Sequence, residues 1–389
     1  MAPRTGRRTR RRFLTSLGAA GALGLAGCTG TSNNGGSGGT PTPTATATST
    51  PAGTTASSSG KDPIGPQDSV KAAWLYVGSV GDLGWSWAHD QGRKKADAKF
   101  DWLTTSYSEN VAPADTKRVL EQYVNKGYQI MYATSFGHMD PMYQVASQTP
   151  KHLFEHCSGY KTRENMGRYY GKMDQAKYLA GVAAGMLTTE NKLGFVAPFS
   201  TPEVIRLMNA LALGAGSVNP DVSFTVKYVN SWFDPTKSKQ SAQALIDDGI
   251  DVIVSDMDSP ATVKAGADAG IWTVGYDAPM GQYGGSKYIT SPIWHWEVFY
   301  EQNLKAVHDG TWHSYAYWDD ISSGIVGLDS WGSKVPSDVE SKVADAKSKI
   351  ASGDLDIWQG SKFEGKSGKF LFQEMNSYVK YIQGKVPQS

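Results

Sequence analysis

The sequence is poor in cysteine and offers no apolar run long enough to span a membrane. Two cysteines, Cys28 and Cys157, occur among 389 residues, and the first falls in a processing signal described below. Cys157 then has no partner for an intramolecular disulfide, and its neighbours Phe154 and His156 predict a buried thiol in a short strand. The apolar stretch of residues 14–26 is shorter than the ~20 residues that a transmembrane helix needs.

Basic residues are scarce once the amino terminus is set aside. The chain has 38 Lys and Arg against 37 Asp and Glu, but six of the arginines lie within the first twelve residues. Without them, 32 basic residues face 37 acidic ones, so the rest of the chain is mildly acidic. Nucleic-acid-binding domains usually cluster Lys and Arg on one face. We therefore expect no nucleic-acid partner.

Catalytic motifs are missing from the predicted strand ends, where an α/β enzyme would carry them. We find there no Gly-x-Ser-x-Gly elbow, no Walker-type phosphate loop and no aspartate cluster like that of nucleoside hydrolases. His89, His138 and His295 lie near predicted loops without a paired nucleophile, and we assign them surface or capping roles. The sequence predicts no metal site, no cofactor and no enzyme.

The amino terminus is typical of an exported lipoprotein. Residues 9–14, Thr-Arg-Arg-Arg-Phe-Leu, match the twin-arginine pattern and lead directly into the apolar stretch. That stretch ends in Leu25-Ala26-Gly27-Cys28, which fits a lipobox whose cysteine thiol receives a diacylglyceryl group. We predict a signal peptide over residues 1–28, lipidation at Cys28 and a location on the outer face of the cell membrane.

Residues 29–67 form a predicted tether. They are mostly Gly, Ser, Thr, Pro and Ala, with few side chains able to build a core. About forty residues of this composition behave as a flexible coil with a mean end-to-end distance of roughly 35 Å. Such a tether lets a lipid-anchored domain reach a partner in the membrane.

The remaining ~320 residues alternate predicted strands with predicted helices, in two successive series. The first series has strands at 70–78, 103–108, 129–135 and 152–156, with helices at 85–100, 113–126 and 140–148. The second has strands at 192–198, 223–230, 252–256 and 272–276, with helices at 202–217, 236–248 and 261–269. This alternation predicts two α/β lobes, each built on a parallel sheet.

Aromatic and acidic residues recur where these predicted strands end, which is where open α/β sheets bind ligands. The candidate ligand contacts are Asp82, Trp85, Ser86, Phe136, Trp232, Asp258 and Asp277. Rings can sandwich a flat ligand while carboxylates accept hydrogen bonds from its edge. Asp234, before Pro235, is predicted to cap a helix, whereas Asp256 can cap or pair and Asp258 can equally open a helix. Trp74, Trp102, Trp272 and Trp312 are assigned structural roles.

Several stretches resemble the basic membrane protein family of solute-binding lipoproteins of ABC importers, whose studied members bind purine nucleosides. They are GDLGWSWAHDQG, TSFGHMDP, VNSWFDPTK, VGYDAPM and ITSPIWHW, and the resemblance covers about residues 70–328. It implies a two-lobed periplasmic-binding-protein-like type I fold with a ligand cleft between the lobes. Lobe 1 is expected over residues 68–171, completed by about 289–318, and lobe 2 over 172–288, completed by about 325–389.

The resemblance also implies roles for single residues. Asp82 and Trp85 match a carboxylate and a stacking aromatic, Trp232 matches the stacking aromatic of the other lobe, and Asp277 matches a carboxylate that binds sugar hydroxyls. Two positions differ from the family pattern: Trp85-Ser86 replaces a Phe-Asn pair, and Trp294 replaces a lysine. Loss of the lysine removes a donor to a ribose hydroxyl, which leaves a free base such as adenine as an alternative to a nucleoside.

The predicted function is capture of a small molecule of the purine type and its delivery to an ABC permease. The lobes are expected to close about crossings near Gly171, near Tyr288 and between Tyr317 and Leu328, with the ligand stabilising the closed state. Two alternatives stay open. A ligand sensor that signals through a membrane receptor has the same architecture, and a nucleoside-processing enzyme can share the fold.

Overall fold

A computed structural model describes residues 64–387 of the chain. The predicted signal peptide, Cys28 and most of the predicted tether lie outside the described residues. The last four tether residues are described, and they contact the folded part: the Gln67 backbone N–H donates to the His308 carbonyl at 2.9 Å. Among residues 64–387, no helix is both long and apolar enough to cross a membrane.

The first part of the chain forms most of lobe 1. Its elements are β1 Val70–Leu75, α1 Trp85–Lys99, β2 Leu103–Ser108, α2 Thr116–Asn125, β3 Ile130–Ala133, α3 Met139–Gln148, β4 Leu153–Cys157 and β5 Met166–Gly171. Strands β1, β3 and β4 are mainly apolar and buried, as expected for a parallel sheet covered on both faces, whereas β2 at the sheet edge is polar and mostly part-exposed. Cys157 is buried as a free thiol, as predicted.

The middle of the chain forms lobe 2. Its elements are α4 Met173–Leu187, β6 Lys192–Ala197, α5 Pro202–Val218, β7 Ser223–Tyr228, α6 Pro235–Asp247, β8 Val252–Ser255, α7 Ala261–Asp268, β9 Trp272–Val274 and β10 Tyr288–Thr290. The predicted cap of α6 is confirmed, because the Asp234 carboxylate accepts the Lys237 N–H at 2.9 Å.

The last part of the chain contributes to both lobes. Its elements are β11 Pro292–Trp294, α8 Glu297–Asp309, β12 Ala316–Asp319, β13 Val326–Leu328, α9 Ser337–Ser352 and α10 Gly368–Gln373. Helix α8 packs on α1 of lobe 1, while α9 and α10 pack on α4 and α5 of lobe 2.

Two parallel sheets result, and the predicted fold class is confirmed. The lobe 1 sheet has the strand order β12-β5-β4-β3-β1-β2, and the lobe 2 sheet has the order β10-β9-β8-β6-β7. Strands β11 and β13 form a separate antiparallel pair. The chain passes between the sheets after Gly171, after Thr290 and between β12 and β13. The second crossing follows Thr290, two residues beyond Tyr288, because residues 288–290 still pair with β9.

Helices α4 and α5 approach each other unusually closely. A Cβ added at Gly181 would lie 2.0 Å from the Leu211 carbonyl oxygen, and one added at Gly214 would lie 2.0 Å from the Tyr178 carbonyl oxygen. The two backbones can therefore touch only because both positions are glycine. This contact joins the helix that follows the first crossing to the centre of lobe 2.

The tryptophans that were assigned structural roles include two fully buried ones. Trp74 stacks on Tyr132 with ring centroids 4.6 Å apart, and Trp312 is 1% exposed. Trp102 is part-buried and lies between Phe100 and the ring of His308. Large rings thus fill the interior of lobe 1 on the side of α1 and α8.

Candidate functional site

The site begins at the amino terminus of α1, where three predicted residues lie. One carboxylate oxygen of Asp82 accepts the N–H groups of Gly84 at 2.8 Å and Trp87 at 3.3 Å. The Ser86 hydroxyl accepts the Gly78 N–H at 3.0 Å. Burial raises the pKa of Asp82 to about 6. Asp82 and Ser86 therefore hold the loop after β1 in place and position Trp85.

The indole of Trp85 lies in a cluster of aromatic rings. Its N–H donates to the Thr134 carbonyl, and its ring meets those of Trp294 and Trp296 edge-on, with centroids 5.6 Å away in both cases. His89 packs against the same ring at 4.6 Å and stacks on Trp296 at 4.3 Å. Trp85 itself stays half-buried, so it is held rigidly and keeps surface for a ligand.

Trp294, which replaces the lysine of the family pattern, holds a carboxylate in place. Its indole N–H donates to Asp277 at 2.7 Å, and its ring stacks on Trp296 with centroids 4.4 Å apart. Asp277 is buried and has a φ of 63°. Side chains other than glycine rarely adopt this left-handed backbone, which costs about 1–3 kcal/mol. The surrounding contacts thus maintain an unfavourable conformation that places the carboxyl group at the lobe interface.

Asp258 and Asp277 form a hydrogen-bonded pair of carboxyl groups. Loss of hydration, and next the charge of Asp82, raises the pKa of Asp258 to about 7. Burial, and next the charge of Asp258, raises the pKa of Asp277. Two adjacent carboxyl groups cannot easily both ionise. Near neutral pH the pair therefore favours holding a proton, and then presents both a donor and acceptors.

Asp256 pairs with a lysine, which was one of its two predicted roles. It forms a salt bridge with Lys177, and both side chains are buried. The Lys177 ammonium also lies 3.7 Å from the ring centroid of Tyr276. Asp256 therefore neutralises a buried cation next to the carboxyl pair.

Two predicted aromatic contacts lie further out. Trp232 is 45% exposed and packs against Phe199 at 5.5 Å, and its carbonyl accepts the Asp258 N–H at 3.1 Å. Phe136 is 56% exposed and lies 6.2 Å from the ring of Tyr160. Asp82, Trp85, Asp258, Asp277 and Trp294 thus come together, while Trp232 is joined to them through its backbone. The predicted ring sandwich between Trp85 and Trp232 stays a prediction.

Tyr170 and Glu203 belong to the site but were not predicted. Tyr170 lies one residue before the end of β5 in lobe 1, and its hydroxyl donates to the carboxylate of Glu203 at the start of α5 in lobe 2. The Tyr170 ring also lies 5.2 Å from that of Trp294. The apolar segment MGRYYG, residues 166–171, was the available signal, since Tyr170 lies near the carboxyl end of that strand.

Surface or capping roles were predicted for the histidines, and neither His89 nor His138 lies at the surface. His138 does occupy the N-cap position of α3, but its side chain makes no capping hydrogen bond. Both histidines are fully buried, with His89 Nδ1 2.7 Å from the Tyr300 hydroxyl and His138 Nε2 2.8 Å from the Val111 carbonyl oxygen. Burial lowers the pKa of each, so each packs as a neutral ring. His295 is part-exposed beside Glu297 at 3.4 Å.

Two formal motifs of the sequence lack the context that their chemistry needs. Gly360–Ser367 spells Gly-x-x-x-x-Gly-Lys-Ser, but it follows turns after α9, and its Gly360 N–H donates to the carboxylate of Glu364 at 2.9 Å. A phosphate loop instead follows a strand. His152 and His156 are four residues apart, but each bonds a different backbone carbonyl. Among residues 64–387, no group of three or more His, Cys, Asp or Glu could hold a metal ion.

The chain is similar to two named relatives along most of its length. It is 49% identical over 381 residues to a putative ABC transporter glucose-binding protein of Haloferax volcanii, with 97% of each chain covered. It is 35% identical over 334 residues to a purine-binding protein of Brucella abortus, with 83% of this chain and 95% of the relative covered.

Solved structures share the fold at low identity. An ABC transporter solute-binding protein of Aeropyrum pernix matches with a TM-score of 0.66 at 18% identity, over 74% of this chain and 92% of that one. A solute-binding protein of an ABC transporter system of Conexibacter woesei matches with a TM-score of 0.63 at 19% identity, over 74% of this chain and 98% of that one. Residues 69–359 also match the Bmp family, described as ABC transporter substrate-binding protein PnrA-like. The resemblance seen in the sequence is thereby confirmed, and the chain belongs to the Bmp family of PnrA-like ABC transporter substrate-binding proteins.

Proposed function

We propose that this chain is an extracytoplasmic, lipid-anchored binding protein that captures a purine base or nucleoside between its lobes and delivers it to an ABC permease. The observation that carries the proposal is the group of Asp258, Asp277, Trp85 and Trp294 at the lobe interface. It combines rings for stacking with a carboxyl pair that can donate and accept hydrogen bonds.

A purine matches this chemistry in two respects. Its flat faces stack on aromatic side chains, and its edge carries N–H donors beside ring-nitrogen acceptors. In the carboxyl pair, which holds one proton, Asp258 complements both kinds of group, and Asp277 serves the sugar hydroxyls when a nucleoside is bound. The Brucella abortus relative, named as purine-binding, supports this assignment. Because the Trp294 indole already occupies one oxygen of Asp277, we expect a free base such as adenine to fit at least as well as a nucleoside.

A sugar is the second candidate ligand. The Haloferax volcanii relative, named as a putative glucose-binding protein, supports it. Asp277 and Asp258 could accept hydrogen bonds from sugar hydroxyls, and Trp85 could stack on the apolar face of a hexose. The two candidates differ in what they require of the site. A purine needs a flat slot between rings, whereas a hexose needs several side chains that accept hydrogen bonds from its hydroxyl groups.

Calorimetric titration of the purified chain with adenine, adenosine and glucose distinguishes the candidates. We expect saturable binding of adenine or adenosine and a corresponding rise in melting temperature. Binding of glucose alone would overturn the purine assignment and leave the transport role in place. Mass spectrometry of ligand released on denaturation gives an independent identification.

We also propose that the chain does not process its ligand. Among the described residues, no group of three or more His, Cys, Asp or Glu side chains could hold a metal ion beside the carboxyl pair. The family, moreover, is one of substrate-binding proteins. Incubation of adenosine or inosine with purified protein should therefore release no free base. Steady release that scales with protein concentration would favour the enzyme alternative.

A sensor role is tested by cross-linking in cells. It predicts that a membrane receptor, and not a permease, is the protein recovered with this chain.

A further inference from the structure

One hydrogen bond joins the first turn of α1 in lobe 1 to a carboxyl group of lobe 2. The Trp85 backbone N–H donates to Asp258 Oδ1 at 3.0 Å. The first N–H groups of a helix have no partner within the helix and need acceptors from elsewhere. Asp82 of the same lobe serves Gly84 and Trp87, whereas the acceptor for Trp85 comes from the opposite lobe.

Gly84 is the position that permits this contact. A Cβ added at Gly84 would lie 2.5 Å from Cα, Cβ and Oδ1 of Asp258. The φ of Gly84 is −125°, outside the left-handed region, so the close approach of the lobes, and not φ, calls for glycine. Gly81 in the same loop differs, because a Cβ there would meet only the Ser79 hydroxyl, at 3.7 Å.

We propose that Asp258 is a latch between the lobes: by capping helix α1 from the opposite lobe it stabilises the closed arrangement whichever ligand is bound, and uptake of a proton at its carboxyl group strengthens the closed form. The latch is thus distinct from ligand recognition. It assigns Asp258 a positioning role in addition to any contact with the ligand.

The charges around Asp258 explain why closure would take up a proton. The charged groups that act on Asp258 are all acidic and come from three elements: Asp82 before α1, Asp277 after β9 and Glu203 of α5. One step further away, Lys177 of α4 acts on Asp277 and pairs with Asp256, and the phenols of Tyr170 and Tyr276 are neutral. Closing the lobes brings Asp82 of lobe 1 towards this acidic group. The repulsion is relieved when a carboxyl group is protonated.

The sign of the pH dependence follows from the two raised values. In the closed form the pKa is about 7 for Asp258 and about 6 for Asp82, against roughly 4 for a carboxyl group in water. The closed form therefore binds protons more tightly than an open form with hydrated carboxyl groups. The contribution of proton uptake to the stability of the closed form is therefore fully present below pH ~4. It is lost progressively as the pH rises towards ~7.

Distances between spin labels measure closure directly in the full-length chain without added ligand. Labels attached at Lys117→Cys on α2 and Lys239→Cys on α6 report on one lobe each, since both positions are exposed. Mass spectrometry verifies that two labels are attached, and a thermal melt verifies folding of each variant. Asp258→Ala removes the acceptor, Asp258→Asn keeps an uncharged acceptor, and Gly84→Ala adds the obstructing Cβ, with Gly81→Ala as the matched control.

We expect Asp258→Ala and Gly84→Ala to lower the ratio of closed to open molecules by about tenfold, because each variant leaves the Trp85 N–H without its acceptor in the closed form. Gly81→Ala should match the wild type. Asp258→Asn should stay closed and lose most of the change between pH 5 and pH 8 that the wild type shows.

Three results would overturn the latch. The first is a wild-type chain in which no molecules show the short distance between labels at pH 5. The second is a Gly84→Ala variant that closes as the wild type does. The third is an Asp258→Asn variant whose closure depends on pH as the wild type's does. None of these depends on the identity of the ligand. A failed purine titration combined with a working latch would therefore reject only the proposed ligand.

Discussion

At the scale of single residues, Asp277 is under more constraints than any other carboxyl group of the site. It is buried, it has a left-handed backbone, and it receives the Trp294 indole N–H while it pairs with Asp258. A residue held in an unfavourable conformation next to a second acid is typical of a functional position. Its role can be tested by comparing how its removal changes the affinity for two related ligands.

We expect Asp277→Ala to weaken adenosine binding more than adenine binding. The substitution removes an acceptor that the resemblance assigns to sugar hydroxyls, and a nucleoside has hydroxyls that the base lacks. Calorimetric titration of both ligands measures the difference. An equal loss for the two would mean that this carboxyl group reads the base or shapes the cleft.

The predicted stacking residues provide a second test. Trp85→Ala and Trp232→Ala should each weaken purine binding by roughly tenfold to a hundredfold, since stacking on one aromatic side chain contributes ~1–3 kcal/mol. Trp102→Ala is the control, because Trp102 stacks on Phe100 and His308 and should affect stability without affecting affinity. Unchanged affinity in both folded Trp variants would show that the sandwich is misplaced.

At the scale of secondary-structure elements, the pattern of apolar and polar residues predicts most strands and helices closely. Helix α1 was expected at 85–100 and occupies Trp85–Lys99, and β6 was expected at 192–198 and occupies Lys192–Ala197. Strand β5, helix α4 and every strand and helix after β9 were not predicted. The residues of α4 are buried almost all round, so the helix lacks the polar face that would mark it as amphipathic.

The contact of α4 with α5 gives a stability prediction at this scale. In an exposed helix, Gly→Ala stabilises by up to ~1 kcal/mol, but Gly181→Ala should instead destabilise the protein by about 2 kcal/mol, because the new Cβ meets the Leu211 carbonyl oxygen. Chemical denaturation measures the change. Ser217→Ala, at an exposed position of α5, is the control and should leave the free energy of unfolding nearly unchanged. A stabilised Gly181→Ala variant would mean that the helices can separate without cost.

At the scale of the whole molecule, the proposal requires a binding unit that stays at the membrane while its two lobes move. The lobes are joined by three crossings, and the described residues include no membrane-spanning helix. In the proposal, attachment to the membrane is through the predicted lipid at Cys28, which lies outside the described residues. The predicted tether would let the lobes reach a permease from that point.

Anchoring can be tested separately from ligand binding. We expect the mature protein to begin at Cys28 and to partition into detergent, because two or three acyl chains give stable attachment. Cys28→Ala should move the protein into the aqueous phase and leave ligand affinity unchanged. Wild-type partitioning of the variant would contradict lipidation at this residue.

The sequence by itself determined the α/β class, most elements, the family and the acidic and aromatic strand ends, because each of these is written in local patterns and short motifs. It could not show which strand ends meet. Asp258 and Trp85 are 173 residues apart, and only the packing of the two lobes puts the Asp258 carboxyl group at the amino terminus of α1. The burial of His89 and the pairing of Trp294 with Asp277 were likewise decided by tertiary structure, since both depend on neighbours that are distant in the chain.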